Sequence, residues 1–68
     1  MNNAQNTQDM STLEYEFHVE MSTGQIDVHV FEDNQLVAQH KRMAKEQANF
    51  LRNATEQLGF KTSIVEHA

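Results

Sequence analysis

Two runs of strict alternation between apolar and polar residues constrain this chain more than any other feature. In the first, Tyr15, Phe17, Val19 and Met21 alternate with Glu14, Glu16, His18 and Glu20. In the second, Ile26, Val28 and Val30 alternate with Gln25, Asp27 and His29. A period of two places alternate side chains on opposite faces of a strand, so each run predicts a strand with one face buried. Thr23-Gly24 lies between them, and glycine admits the positive φ that tight turns need. A two-residue loop there would set Met21 opposite Ile26, Val19 opposite Val28 and Phe17 opposite Val30. It would also set His18 opposite His29 on the polar face. A slip of one residue would bring Phe17 against His29, so the hydrophobic pattern favours the first register.

Asp33-Asn34 is a second turn signal. Leu36-Val37-Ala38 can follow it as a short third strand or as a loop leading to a helix. As a strand it would pair Val30 with Val37, and Phe31 with Leu36 on the polar face, with Ala38 at the same edge. Ala44, Ala48, Leu51, Ala54 and Leu58 recur at helical spacing, with Phe50 beside them, which predicts a helix over 40–58. Arg42 with Glu46 and Arg52 with Glu56 would form i,i+4 pairs on its outer side. No good N-cap residue marks its start, whereas Gly59 is a natural stop. Phe60, Thr62 and Ile64 alternate again and predict a last strand. The expected fold is α+β: a small antiparallel β-sheet in ββ(β)αβ order. One α-helix packs on one face and the other face stays open.

At 68 residues the chain holds one domain. Residues 1–11, polar and without periodicity, read as a disordered tail, which leaves 12–68 as the folded unit. A domain this short buries roughly 60% of the surface its unfolded chain exposes. Self-association as a homodimer is one remedy for so small a core. Disulfides are not, because there is no cysteine. No basic and apolar leader stands at the N-terminus, and no apolar run approaches a membrane span. The expectation is a cytoplasmic protein with no membrane partner.

Charge is distributed unevenly. The net charge is −5; all five bases lie from Lys41 onward, whereas seven of the ten acids precede it. Glu14, Glu16, Glu20 and Asp27 therefore gather on the open sheet face, with Phe31 and Leu36 as an apolar spot at one edge. An apolar centre with a charged rim is the anatomy of a protein interface. The primary expectation is a non-catalytic module, an inhibitor or adaptor, whose acidic face engages a basic surface on a larger protein. The carboxylates would occupy places where phosphates otherwise lie.

Two alternatives stand beside it. Lys41, Arg42, Lys45 and Arg52, with His40, would form a basic helical patch able to meet nucleic acid. Against this stand the net charge and the lack of interleaved aromatic residues. His18 and His29, with carboxylates nearby, are candidates for a metal- or pH-responsive module. Catalysis has little support. There is no Cys nucleophile, Ser22 and Ser63 lack the surroundings of an activated serine, and two glycines make no phosphate loop. No cofactor is expected.

The order of three strands and a helix over residues 13–58 resembles the AP2-type and phage integrase amino-terminal DNA-binding folds. Those families place basic and aromatic residues on the sheet. Here Glu14, Glu16, Glu20 and Asp27 stand there, so the DNA-binding function is not carried over. In size, acidity and ββαβ order the chain is similar in style to small phage-encoded inhibitors of host enzymes, such as RNA polymerase inhibitors and anti-CRISPR proteins. That resemblance implies a protein target and assigns no residue.

Overall fold

The computed structural model describes residues 13–68, and the expected tail over 1–11 lies outside them. Strand β1 (Leu13–Glu20) and strand β2 (Ile26–Glu32) form the first hairpin. The pairing sets Val19 against Ile26, Phe17 against Val28 and Tyr15 against Val30. This corrects the expected register by two residues. Both favoured two-residue hairpin turns, I′ and II′, would have required the β-branched Thr23 at a positive φ, since it would hold the first central position. The chain instead makes a wider loop in which only Gly24 is left-handed, at φ 78°. The N–H groups of Thr23 and Gly24 donate to the Glu20 carbonyl at 3.2 and 2.7 Å. Met21 consequently leaves the core and is 55% exposed. A shift of two preserves parity, so every other apolar residue keeps its face.

Strand β3 (Gln35–Met43) is much longer than the sequence pattern predicts. It follows a two-residue turn in which Asp33 and Asn34 both take positive φ, 52° and 68°. Asn and Asp tolerate that conformation better than other non-glycine residues. Phe31 meets Leu36 as expected, but a bulge at Val37 then moves Ala38 opposite Val30. The expected Val30–Val37 pair is not made, and Ala38 moves to the side of the core. A second irregularity lies between the pairs Val28–His40 and Ile26–Met43, and Arg42 within it sits at φ 58°.

The helix α1 spans Lys45–Gln57, later than the 40–58 predicted. His40, Lys41 and Arg42 belong to β3 instead, where His40 and Met43 pair with Val28 and Ile26 of β2 and the Arg42 N–H donates to the Asp27 carboxylate. Ala44 at the N-cap offers no side-chain bond, so helix formation had little to hold it further upstream. Gly59 ends the helix at φ 89°, with Phe60 N–H donating to Thr55 O and Gly59 N–H to Glu56 O. These are the two bonds of a Schellman ending.

Strand β4 (Lys61–His67) pairs with β1 and runs parallel to it. The sheet order is β3-β2-β1-β4, so the sheet is mixed and open at both edges, not wholly antiparallel. The reason is topological. The helix carries the chain across one face from the β3 edge to the far edge, and a crossover of this kind returns the strand in the direction of β3 and β1.

Phe17, Ile26, Val28, Val30 and Ala48 are the buried apolar core, with Val28 fully enclosed. Leu13, Tyr15, Val19, Met43 and Leu51 pack around them. Ala48 and the buried Thr55 are small, which lets α1 lie close against the sheet; the Thr55 hydroxyl donates to the Arg52 carbonyl. Leu58, expected on the apolar stripe, is the C-cap residue and is exposed. The Tyr15 and Phe60 rings pack with centroids 5.7 Å apart and planes tilted by 31°, which ties the start of β4 to β1.

Candidate functional site

The helix covers one face of the sheet, and no described element covers the other. Parity places Glu14, Glu16, His18 and Glu20 of β1 on that open face, with Asp27, His29 and Phe31 of β2. The register in β4 adds Lys61, Ser63, Val65 and His67, because they neighbour Glu14, Glu16, His18 and Glu20. Gln39 of β3 arrives opposite His29.

His18 and His29 are not directly opposed. His18 faces Asp27 and Glu16 faces His29, so the two imidazoles are diagonal neighbours. Diagonal side chains are still within reach when they are aromatic. Their ring centroids stand 4.2 Å apart. His18 Nε2 lies 3.0 Å from Glu16 Oε1, and His18 Nδ1 lies 2.9 Å from His67 Nε2. The His18 and His67 rings are stacked, 5.1 Å apart and 19° from parallel. Phe31 meets His29 edge-on at 6.4 Å, and Gln39 Nε2 donates to His29 Nε2 at 3.2 Å.

Sequence reasoning missed His67. The alternation through Phe60, Thr62 and Ile64 already implied that His67 would share the open face with Ser63 and Val65. Nothing local said that β4 would lie beside β1. Sheet order alone makes three imidazoles of what had read as two.

The carboxylates of this face are answered in several ways. Lys61 Nζ reaches Glu14 at 3.3 Å, Ser22 donates to Glu20 at 3.3 Å, and Glu16 meets His18. Asp27 accepts the backbone N–H of Arg42 at 2.9 Å and the Gln25 amide at 3.4 Å. The bond from Arg42 is the main reason its carboxyl is held below the usual aspartate value; nearby Lys41 and His29 add to it, and desolvation opposes it. Asp27 thereby closes the irregularity in β3 that the left-handed Arg42 creates.

Phe31 is half-buried and paired with Leu36, which is 51% exposed. The basic residues are dispersed. Lys41 and Arg42 stand on the edge strand β3, Lys45 opens the helix, and Arg52 pairs with Glu56 at 3.5 Å. The expected basic helix over 41–52 does not exist as a unit, and the expected Arg42–Glu46 helical pair falls with it.

Glu16, His18 and His29 each bring a ligand atom within 4.8 Å of the others, so these side chains could hold a cation. A shallow concavity beside them is lined by His18, Glu20, Asp27, His29 and His67, with the hairpin loop at its end. No helix among the described residues is long and apolar enough to cross a membrane. Comparison with known protein families, with curated proteins and with solved structures finds no significant match.

Proposed function

We propose that this is a non-catalytic interaction domain whose open sheet face engages a basic surface of a larger protein, as an inhibitor or adaptor does. The carrying observation is the Phe31–Leu36 cross-strand pair, an apolar spot on an otherwise uncovered face beside Glu14, Glu16, Glu20 and Asp27. Phe31 with Leu36 supplies the desolvated anchor, and the carboxylates steer and orient the partner. Glu14 is already paired with Lys61, which is 75% exposed. Exposed pairs of this kind contribute about 0–1 kcal/mol, so a basic partner displaces Lys61 at small cost. The dispersal of Lys41, Arg42, Lys45 and Arg52 over two elements weighs against nucleic acid as the partner. We place the interaction in the cytoplasm, where a chain without cysteine loses nothing to reducing conditions.

The test is an affinity capture with nuclease present, comparing the wild type with a Phe31→Asp/Glu20→Lys double variant. A protein retained by the wild type and lost from the folded variant supports the reading, and association that slows as salt rises identifies the steering charges. Equal capture by both proteins, or capture that nuclease abolishes, overturns it. Light scattering on the same samples reports whether the domain acts as a homodimer.

A further inference from the structure

We propose that Glu16, His18 and His29 form a binding site for a divalent transition-metal ion of the zinc class, with His67 as the group that orients His18. The site does not rest on the protein-binding reading, although Glu16 belongs to both.

The three side chains come from two paired strands, and each is half-buried. Their ligand atoms lie within 4.8 Å of one another. A tetrahedral zinc ion with bonds of about 2.0–2.1 Å needs its ligands about 3.3–3.5 Å apart. Small rotations about χ angles close that difference without moving the backbone. Two imidazole nitrogens and one carboxylate oxygen suit zinc, nickel or copper, whereas calcium and magnesium take oxygen ligands. Three protein ligands leave a fourth position for water on the solvent side.

The outer contacts fit the same assignment. A ligating imidazole commonly donates its second N–H to a neighbour that fixes the tautomer. His18 Nε2 faces Glu16, and His18 Nδ1 faces His67 Nε2 at 2.9 Å. Without an ion, neutral His18 donates from Nε2 to the Glu16 carboxylate and its Nδ1 accepts from His67. With an ion between Nε2 and Glu16, the His18 proton resides on Nδ1 and is donated to His67 Nε2. His67 takes the other tautomer, so no proton is gained or lost by the pair. The edge-on contact with Phe31 holds the His29 ring in place, and Gln39, which donates to His29 Nε2 without an ion, must release that nitrogen or turn its amide oxygen to it when His29 binds.

The experiment is calorimetric titration of chelator-treated full-length protein with zinc chloride, followed by nickel chloride. The expected result is one saturable site per chain. His18→Ala and His29→Ala each weaken it at least tenfold, and His67→Ala weakens it by about tenfold, the usual range for an orienting partner. His40→Ala serves as the control, because His40 pairs with Val28 on the helix side and its loss should leave affinity unchanged. Circular dichroism checks each fold, with His18→Asn and His29→Asn standing in for any alanine variant that fails to fold. No saturable binding, or a loss in His40→Ala equal to that in His18→Ala, overturns the proposal. Neither result bears on partner capture, since the titration contains no second protein.

Discussion

His18 Nδ1 and His67 Nε2 stand 2.9 Å apart, although 49 positions separate the two residues in the chain. The contact links the first described strand to the last and exists only because β4 lies beside β1. A hydrogen bond of this kind contributes about 0.5–1.5 kcal/mol. A double-mutant cycle of His18→Ala and His67→Ala, followed by urea denaturation in the presence of chelator, should give a coupling energy in that range. A coupling indistinguishable from zero would mean that the two rings share a neighbourhood without stabilising it.

Phe17 carries the core at the centre of β1, packed against Val28 and beneath Ala48. Its truncation to alanine costs about 3–5 kcal/mol. A core in a domain this small supplies roughly that much in total. Phe17→Ala should therefore be largely unfolded at 25 °C, seen as loss of the cooperative urea transition.

Gly24 tests the hairpin loop. Its φ is 78°, and beyond its two chain neighbours nothing lies within 4 Å of where a Cβ would stand. Any penalty for Gly24→Ala thus comes from the backbone alone, about 1–2 kcal/mol for an L residue in the left-handed region. Asn34→Gly should act in the opposite direction, since φ 68° is free of strain only for glycine. Urea midpoints of the two variants should move to opposite sides of the wild type.

Asp27 gives the domain an acid-sensitive contact. Its folded pKa lies below its ordinary 3.8, chiefly because the ionised carboxylate accepts the Arg42 N–H. Such a group adds stability above its unfolded pKa and loses it as pH falls through the folded value. Asp27→Asn keeps an acceptor oxygen and removes the charge. The wild type should therefore be the more stable near neutral pH, and the gap between melting temperatures should narrow as pH falls below about 3.8.

The faces of the sheet were legible because alternation survives a shift of two. Phe17, Val28 and Val30 reached the core and Glu16, His18 and Asp27 reached the open face, although the expected register was wrong. The register itself rested on Thr23, whose branched Cβ disfavours the tight turn, a constraint weaker in the pattern than the glycine beside it. Residues 40–44 misled for a different reason. His40, Lys41, Arg42, Met43 and Ala44 are ordinary helix formers, and propensities of a few tenths of a kcal/mol per residue yield to strand pairing with β2. The missing N-cap was the one local sign that the helix begins later.

Local pattern alone determined four things: the alternating strands, the turn at Asp33-Asn34, the helix stop at Gly59 and the acidic character of one face. Each is set within a few residues by side-chain period or by allowed φ. Tertiary structure decided the rest: the mixed sheet, the bulges that carry His40 to Arg42 along the edge strand, and the meeting of His67 with His18. Those outcomes depend on which edge of the sheet the helix reaches, and that is governed by burial of Ala48 and Leu51 against Phe17, Ile26 and Val28 of β1 and β2, a long-range energy with no local signature.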